Sequence, residues 1–131
     1  MNDGGHLLSI ADVTGKGVPA ALLMANLQAM IHALALQDTT LEAATGTIND
    51  FIYTNTPADK FITFFWTKIE ADGKTLKFVN AGHDHPIIFR RSKTDPMDEL
   101  NAQVEQIELS EGGSLLGVLP TLTPIRFRIL P

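Results

Sequence analysis

The sequence predicts an α+β layered domain, and three observations carry that reading. The elements run in the order strand, helix, helix and then many strands. At Phe61 the hydrophobic period changes from helical to two. The length of 131 residues, with 44% hydrophobic and 19% charged side chains, suits one domain with a real core. This order is that of a layered domain, not of a βαβ repeat.

Leu7 to Val13 is predicted as a short buried strand, and the turn Thr14-Gly15-Lys16-Gly17 follows it. A helix is expected from about Val18 to Leu36, with Pro19 at a start position that tolerates the missing amide. Leu22, Leu23, Met24, Leu27, Met30, Ile31 and Leu34 make it apolar nearly all round, so burial on more than one side is expected. Its alanines permit close approach to a sheet. A second helix is expected from Thr39, where Thr39-Thr40-Leu41-Glu42 fits a capping box. Leu41, Ala44, Ile48, Phe51 and Ile52 recur at helical spacing, and Asn55-Thr56-Pro57 ends the helix.

Phe61 to Glu70 and Thr75 to Ala81 read as strands joined by a tight hairpin at Ala71-Asp72-Gly73-Lys74. Trp66, Phe61, Phe64, Phe65 and Phe78 on these strands are expected in the core. Pro86 to Arg90, Val104 to Leu109, Leu115 to Leu119 and Ile125 to Leu130 are further candidate strands. Ser92 to Gln103, polar and containing Pro96, reads as a loop or insertion.

Ten Lys and Arg against fifteen Asp and Glu give a net charge of −5, and Arg90, Arg91 and Lys93 form the only small basic cluster. Nucleic-acid binding would need a positive face, so it is not expected. The absence of cysteine excludes disulfides, thiolate metal sites and cysteine nucleophiles. The longest unbroken apolar run, Val18 to Ala25, is far short of the roughly 20 residues of a membrane span. The N-terminal residues have no basic signal-peptide region. The expectation is a cytoplasmic protein that does not engage a membrane.

Three stretches carry candidate chemistry. In the first, Asp12 ends a strand and the glycine turn leads straight into a helix. A carboxylate there suits a hard divalent ion, or it satisfies amides of its own turn. The turn lacks the spacing of a phosphate-binding P-loop. In the second, Asn80-Ala81-Gly82-His83-Asp84-His85, the alternating histidines suggest either a metal pair or a polar turn with a local aspartate bond. His6 and His32 are isolated and read as ordinary histidines. In the third, Gly112-Gly113-Ser114-Leu115-Leu116-Gly117, the glycines allow close approach of another segment or of a ligand.

Together, and in this order, the stretches resemble the stage II sporulation protein E and RsbU-type branch of the PPM (protein phosphatase 2C-like) serine/threonine phosphatases. Asp12-Val13-Thr14-Gly15-Lys16-Gly17 is similar to that family's Asp-Val-Ser-Gly-Lys-Gly block. Phe78-Val79-Asn80-Ala81-Gly82-His83 and Leu115-Leu116-Gly117-Val118-Leu119-Pro120 resemble its Asn-Ala-Gly-His and Leu-Gly-Val blocks. The resemblance implies a β-sandwich flanked by helices, in α/β/β/α layers, and hydrolysis of phosphoserine or phosphothreonine with two Mg2+ or Mn2+ ions. It implies that Asp12 bridges the ions and that the Val13 carbonyl is a further ligand. It also implies an activated bridging water as nucleophile. Gly15, Lys16, Gly17, Asn80 and His83 would support the cleft. The implied partner is a phosphorylated regulatory protein of the anti-sigma factor antagonist type.

The departures are as informative. The family's Gly-Gly-Asp segment before the first block is missing, as are its Asp-Gly segment and final Asp pair after the third. The expectation is a single partial phosphatase domain over 1–131, of which only Asp12 remains among the acidic ligands. One carboxylate and one carbonyl are few for ions that want about six oxygens each. The competing expectation is a non-catalytic module that binds a partner or pairs with itself as a homodimer.

Overall fold

The computed structural model describes residues 4–91 and 104–122. In chain order the elements are β1 (His6–Val13), α1 (Gly17–Ala35), α2 (Leu41–Asn55), β2 (Ile62–Ile69), β3 (Leu76–Ala81), β4 (Ile87–Arg91) and β5 (Val104–Glu108). The expected loop at Ser92 to Gln103 and the expected strand at Ile125 to Leu130 lie outside the described residues.

β1, β2 and β3 form one antiparallel sheet in that order, and β4 and β5 form a second. Side chains alternate across each strand, so the central strand β2 serves two cores. Ile62, Phe64 and Trp66 face the helices, where they pack with Leu27, Ile48 and Ile52. Phe65 faces the other way and packs with Phe78 of β3 and with Leu109, Ile88 and Ile107 of the second-sheet region. The described residues thus stack as helices, sheet and sheet, three layers of the expected sandwich. The aromatic expectation holds for Phe64, Phe65, Trp66 and Phe78, which are buried, but not for Phe61, which is only half-buried.

The β2–β3 hairpin turns at Asp72-Gly73. Gly73 takes φ +64, and Asp72 accepts hydrogen bonds from the Lys74 and Thr75 amides. Those bonds hold the Asp72 carboxyl below its ordinary pKa.

Three expectations are corrected. First, α1 is not buried on more than one side. Leu23, Leu27 and Leu34 form its buried stripe, whereas Val18 and Leu22 stay exposed. Among the described residues α1 alone has the length and hydropathy to cross a membrane, yet that stripe belongs to the sheet-facing core. Secondly, the cap of α2 is Thr40, whose Oγ1 accepts from the Ala43 amide at 3.2 Å. Starting the helix at Leu41 puts Leu41, Ala44, Ile48 and Ile52 into the core, and Glu42 then falls one place short of a capping box. Thirdly, Leu115 to Leu119 is not a strand. Only Leu116 bridges, exchanging two backbone bonds with Ile62, and Gly117 at φ +82 then turns the chain.

Among the described residues β1 is an edge strand, and, contrary to the expected burial of Leu7 to Val13, none of its residues is buried. Because Ile62 gives its N–H and C=O to Leu116, it has none for Val13. Backbone direction alternates along an antiparallel ladder, so Leu7, Ser9, Ala11 and Val13 point theirs away from β2.

Candidate active site

Asp12 lies at the C-terminal end of β1, directly opposite Thr63 at the start of β2. Leu7, Ala11 and Val13 pack on the helix side. Asp12 therefore faces the side on which the second sheet lies, with Thr63 beside it. It is exposed, and among the described residues it has no ion pair.

Thr14 fastens the strand end. Its amide and hydroxyl both donate to the Phe61 carbonyl at 3.1 Å, and its hydroxyl accepts from the Phe61 amide at 3.0 Å. Gly15 and Gly17 then take φ +93 and +74, conformations open to glycine at little cost. Lys16 between them is the extended N-cap of α1, and its exposed side chain makes no cap bond.

The Asn80-His83 turn sits at the same end of the sheet. Asn80 is buried and clamps the turn: Oδ1 accepts from the His83 amide at 2.8 Å, and Nδ2 donates to the His83 carbonyl at 3.0 Å. Gly82 has φ +69, and a Cβ there would come within 2.5 Å of Leu115 Cδ2. The clamp turns the His83 ring onto the sheet, with Nδ1 2.8 Å from the Thr63 hydroxyl. Asp12, Thr63 and His83 are thereby brought together. His85 has a different partner, its Nδ1 meeting Glu108 Oε1 at 2.8 Å. The local bond of the turn comes from Asn80 rather than Asp84.

The glycines of the third stretch serve packing. The Gly113 amide donates to the Asn80 carbonyl at 2.8 Å, and a Cβ on Gly117 would come within 2.7 Å of Ile52 Cγ2.

Thr63 and Lys60 are contributors that the sequence by itself does not single out. Thr63 is a hydroxyl in an apolar strand, and only the register shows that it faces Asp12. A Cβ on Gly15 would lie 3.8 Å from Lys60 Nζ, so this ammonium stands over the glycine turn. Lys60 also pairs with Asp59 at 2.9 Å, a hydrogen bond and charge that hold the Asp59 carboxyl below its ordinary value. An open groove of about 200 Å³ adjoins the turn, lined by Thr14, Pro19, Leu23, Asn26, Pro57 and Lys60.

The donor set for metal is small. Asp12 offers a carboxylate and Val13 an outward carbonyl. No group of three or more His, Asp or Glu side chains suited to a metal ion occurs among the described residues. Two oxygens do not fit a pair of hard divalent ions.

A helix-backed β-sandwich with a lone strand-end aspartate before a Gly-Lys-Gly turn defines a layered domain of the PPM kind. The sequence matches the Stage II sporulation protein E (SpoIIE) family over residues 2–128, and the chain belongs to that family. It is 29% identical over 96 residues to the phosphoserine phosphatase RsbU of Bacillus subtilis (strain 168), a match covering 73% of this chain and 28% of that protein. The crystal structure of the RsbU and RsbW domains of a Mycobacterium tuberculosis protein superposes with a TM-score of 0.71 at 20% identity. That match covers 98% of this chain and 33% of the other. The chain thus spans about a third or less of the relatives it matches.

Proposed function

We propose that this chain carries part of the catalytic centre of a metal-dependent serine/threonine protein phosphatase. Its substrate would be phosphoserine on a cytoplasmic regulatory partner of the anti-sigma factor antagonist type. The observation that carries the reading is the Asp12 carboxylate, without an ion pair among the described residues, opposite the Thr63–His83 pair at the end of β1. The similarity to a phosphoserine phosphatase supports the reaction. The likeness in fold to a protein with RsbU and RsbW domains in one chain is consistent with a regulatory partner.

Mg2+ or Mn2+ would be the cofactor, with Asp12 and the Val13 carbonyl as contributing ligands. Since these two oxygens do not hold such ions by themselves, the 131-residue chain alone is expected to turn over slowly or not at all. Lys60 and Lys16, beside the glycine turn, add positive charge where a phosphoryl group would approach.

The test compares two polypeptides in Mn2+. One is the 131-residue chain, and the other adds whatever its gene encodes on either side. Each is given a phosphoserine-bearing anti-sigma factor antagonist. The expected result is dephosphorylation by the longer polypeptide, lost in Asp12→Ala, with little by the chain alone. A longer polypeptide that is inert, or indifferent to Asp12→Ala, overturns the proposal. It would favour the second reading, a non-catalytic binding module, for which the small donor set speaks.

A further inference from the structure

The groove beside the glycine turn has apolar walls and one charged end. Pro19, Leu22, Leu23 and Asn26 of α1 form one wall, and Asn55 at the end of α2 and Pro57 after it form the other. Asn55 Nδ2 donates to the Phe51 carbonyl at 2.9 Å, which leaves Oδ1 for an incoming N–H. Asn26 is exposed, and its amide can donate and accept. An apolar lining with a few placed polar groups takes a side chain and fixes the backbone that carries it.

The charged end is also the fixed end. Thr14 and Lys60 line it together, Thr14 tied to Phe61 and the Lys60 amide donating to the Pro57 carbonyl at 2.9 Å. Lys60 Nζ stands over Gly15, and no described atom lies within 4 Å of a Cβ position on Gly17, so another chain has space to cross the turn. We propose that this groove seats the residues flanking the phosphoserine of the substrate, as an extended segment with an apolar side chain between Pro19, Leu22 and Pro57. The inference rests on the phosphatase reading and adds to it what the enzyme recognises beside the phosphate. Charge sets the direction, because a phosphoserine at the Asp12 end meets the ammonium groups of Lys60 and Lys16. Thr14 lies two residues past Asp12, about 7 Å of extended chain, so the seated residue is within about three positions of the phosphoserine.

The described course of the chain leads away from this groove. β1 starts at His6, opposite Ile69 at the other end of the sheet. After Gly117 the chain passes Asn49, and Thr121 and Leu122 then lie against Gly46 and Ala43, toward the start of α2 and away from Pro57. β4 and β5 pack on the face of β2 opposite the helices.

The experiment uses the longer polypeptide of the preceding test, in Mn2+. It is given the phosphoserine-bearing anti-sigma factor antagonist and, separately, p-nitrophenyl phosphate, an ester with no polypeptide to seat. The readout is the ratio of the two kcat/KM values, in which any loss common to both substrates cancels. Leu22 is 62% exposed, so Leu22→Glu sets a carboxylate in the apolar wall without entering the core. The ratio should fall about tenfold, through a higher KM for the phosphoprotein. Asn26→Cys, labelled with a bulky maleimide after folding and compared with wild type treated in the same way, should have the same effect. If Leu22→Glu does not fold, the labelled protein decides. A ratio within about twofold of wild type overturns the proposal, and would mean that the groove stays empty or holds a segment of the same polypeptide. An equal loss on both substrates also overturns it, since the groove would then serve the reaction centre or the fold. The phosphatase reading fails in a different way, by a longer polypeptide that hydrolyses neither substrate, and the inference falls with it.

Discussion

Asn49, in the middle of α2, holds the backbone of Gly117 across 68 residues of sequence. Its Oδ1 accepts from the Gly117 amide at 3.0 Å while its Nδ2 donates to the Leu119 carbonyl at 3.0 Å. The side chain is fully buried. One amide thus satisfies two backbone groups of a segment that has no ladder of its own beyond the Leu116 bridge. This is why Leu115 to Leu119 needs no strand to be fixed.

Asn49→Ala is expected to leave both backbone groups without partners. The Gly117 amide is buried, and such a group left unsatisfied costs about 1–3 kcal/mol, whereas the carbonyl of exposed Leu119 can turn to water, so a loss of about 1–3 kcal/mol is expected. Urea unfolding would measure it, as a lower midpoint with an unchanged slope. A loss below about 0.5 kcal/mol would mean that water or a rearranged turn replaces both bonds.

Thr63→Val should separate structure from site. The substitution keeps the branched shape in β2 but deletes the hydroxyl that meets His83 Nδ1 at 2.8 Å. Asn80 still clamps the His83 backbone, so stability should change by no more than about 1 kcal/mol. The ring, relieved of its partner, should change tautomer balance or orientation, as read from its nitrogen-15 chemical shifts. Unchanged shifts would show that Thr63 does not position the imidazole.

Acid sensitivity should trace in part to Glu70. Lys77 and Lys68 approach its carboxylate at 2.7 and 3.1 Å, and these hydrogen bonds, Lys77 first, hold its pKa below the ordinary value of 4.5. A carboxyl depressed in the folded state stabilises the fold above its unfolded pKa. That contribution disappears as the pH falls through the folded value. Glu70→Gln should therefore lower stability near neutral pH, and the gap from wild type should narrow progressively below pH 4.5. Thermal midpoints of both proteins across that range would show it. A gap independent of pH would assign the effect to packing.

Much of the fold was legible in the sequence because its signals are local. The change of period at Phe61, the Asp-Gly hairpin and the turn glycines act over a few residues, and β1, β2, β3 and both helices lie within a residue or two of their expected bounds. The cap of α2 moved by one because two adjacent threonines offer the same local chemistry. The core chose between them by the placement of Leu41. The three motifs were also legible one by one, but not their meeting.

The sequence by itself determined the layered class, the strand-end Asp12, the Gly15-Lys16-Gly17 turn and the family to which the blocks belong. Tertiary structure alone decided which side chains share the site. Thr63 faces Asp12 only through antiparallel register, and His83 meets the Thr63 hydroxyl while Asn80 clamps its backbone. Burial was likewise a tertiary matter. The apolar circumference of α1 is a property of composition, whereas which stripe is covered depends on what packs against it, and among the described residues the sheet covers only one side. Periodicity is set by bonds along the chain, whereas register, facing and burial are set by partners far along it.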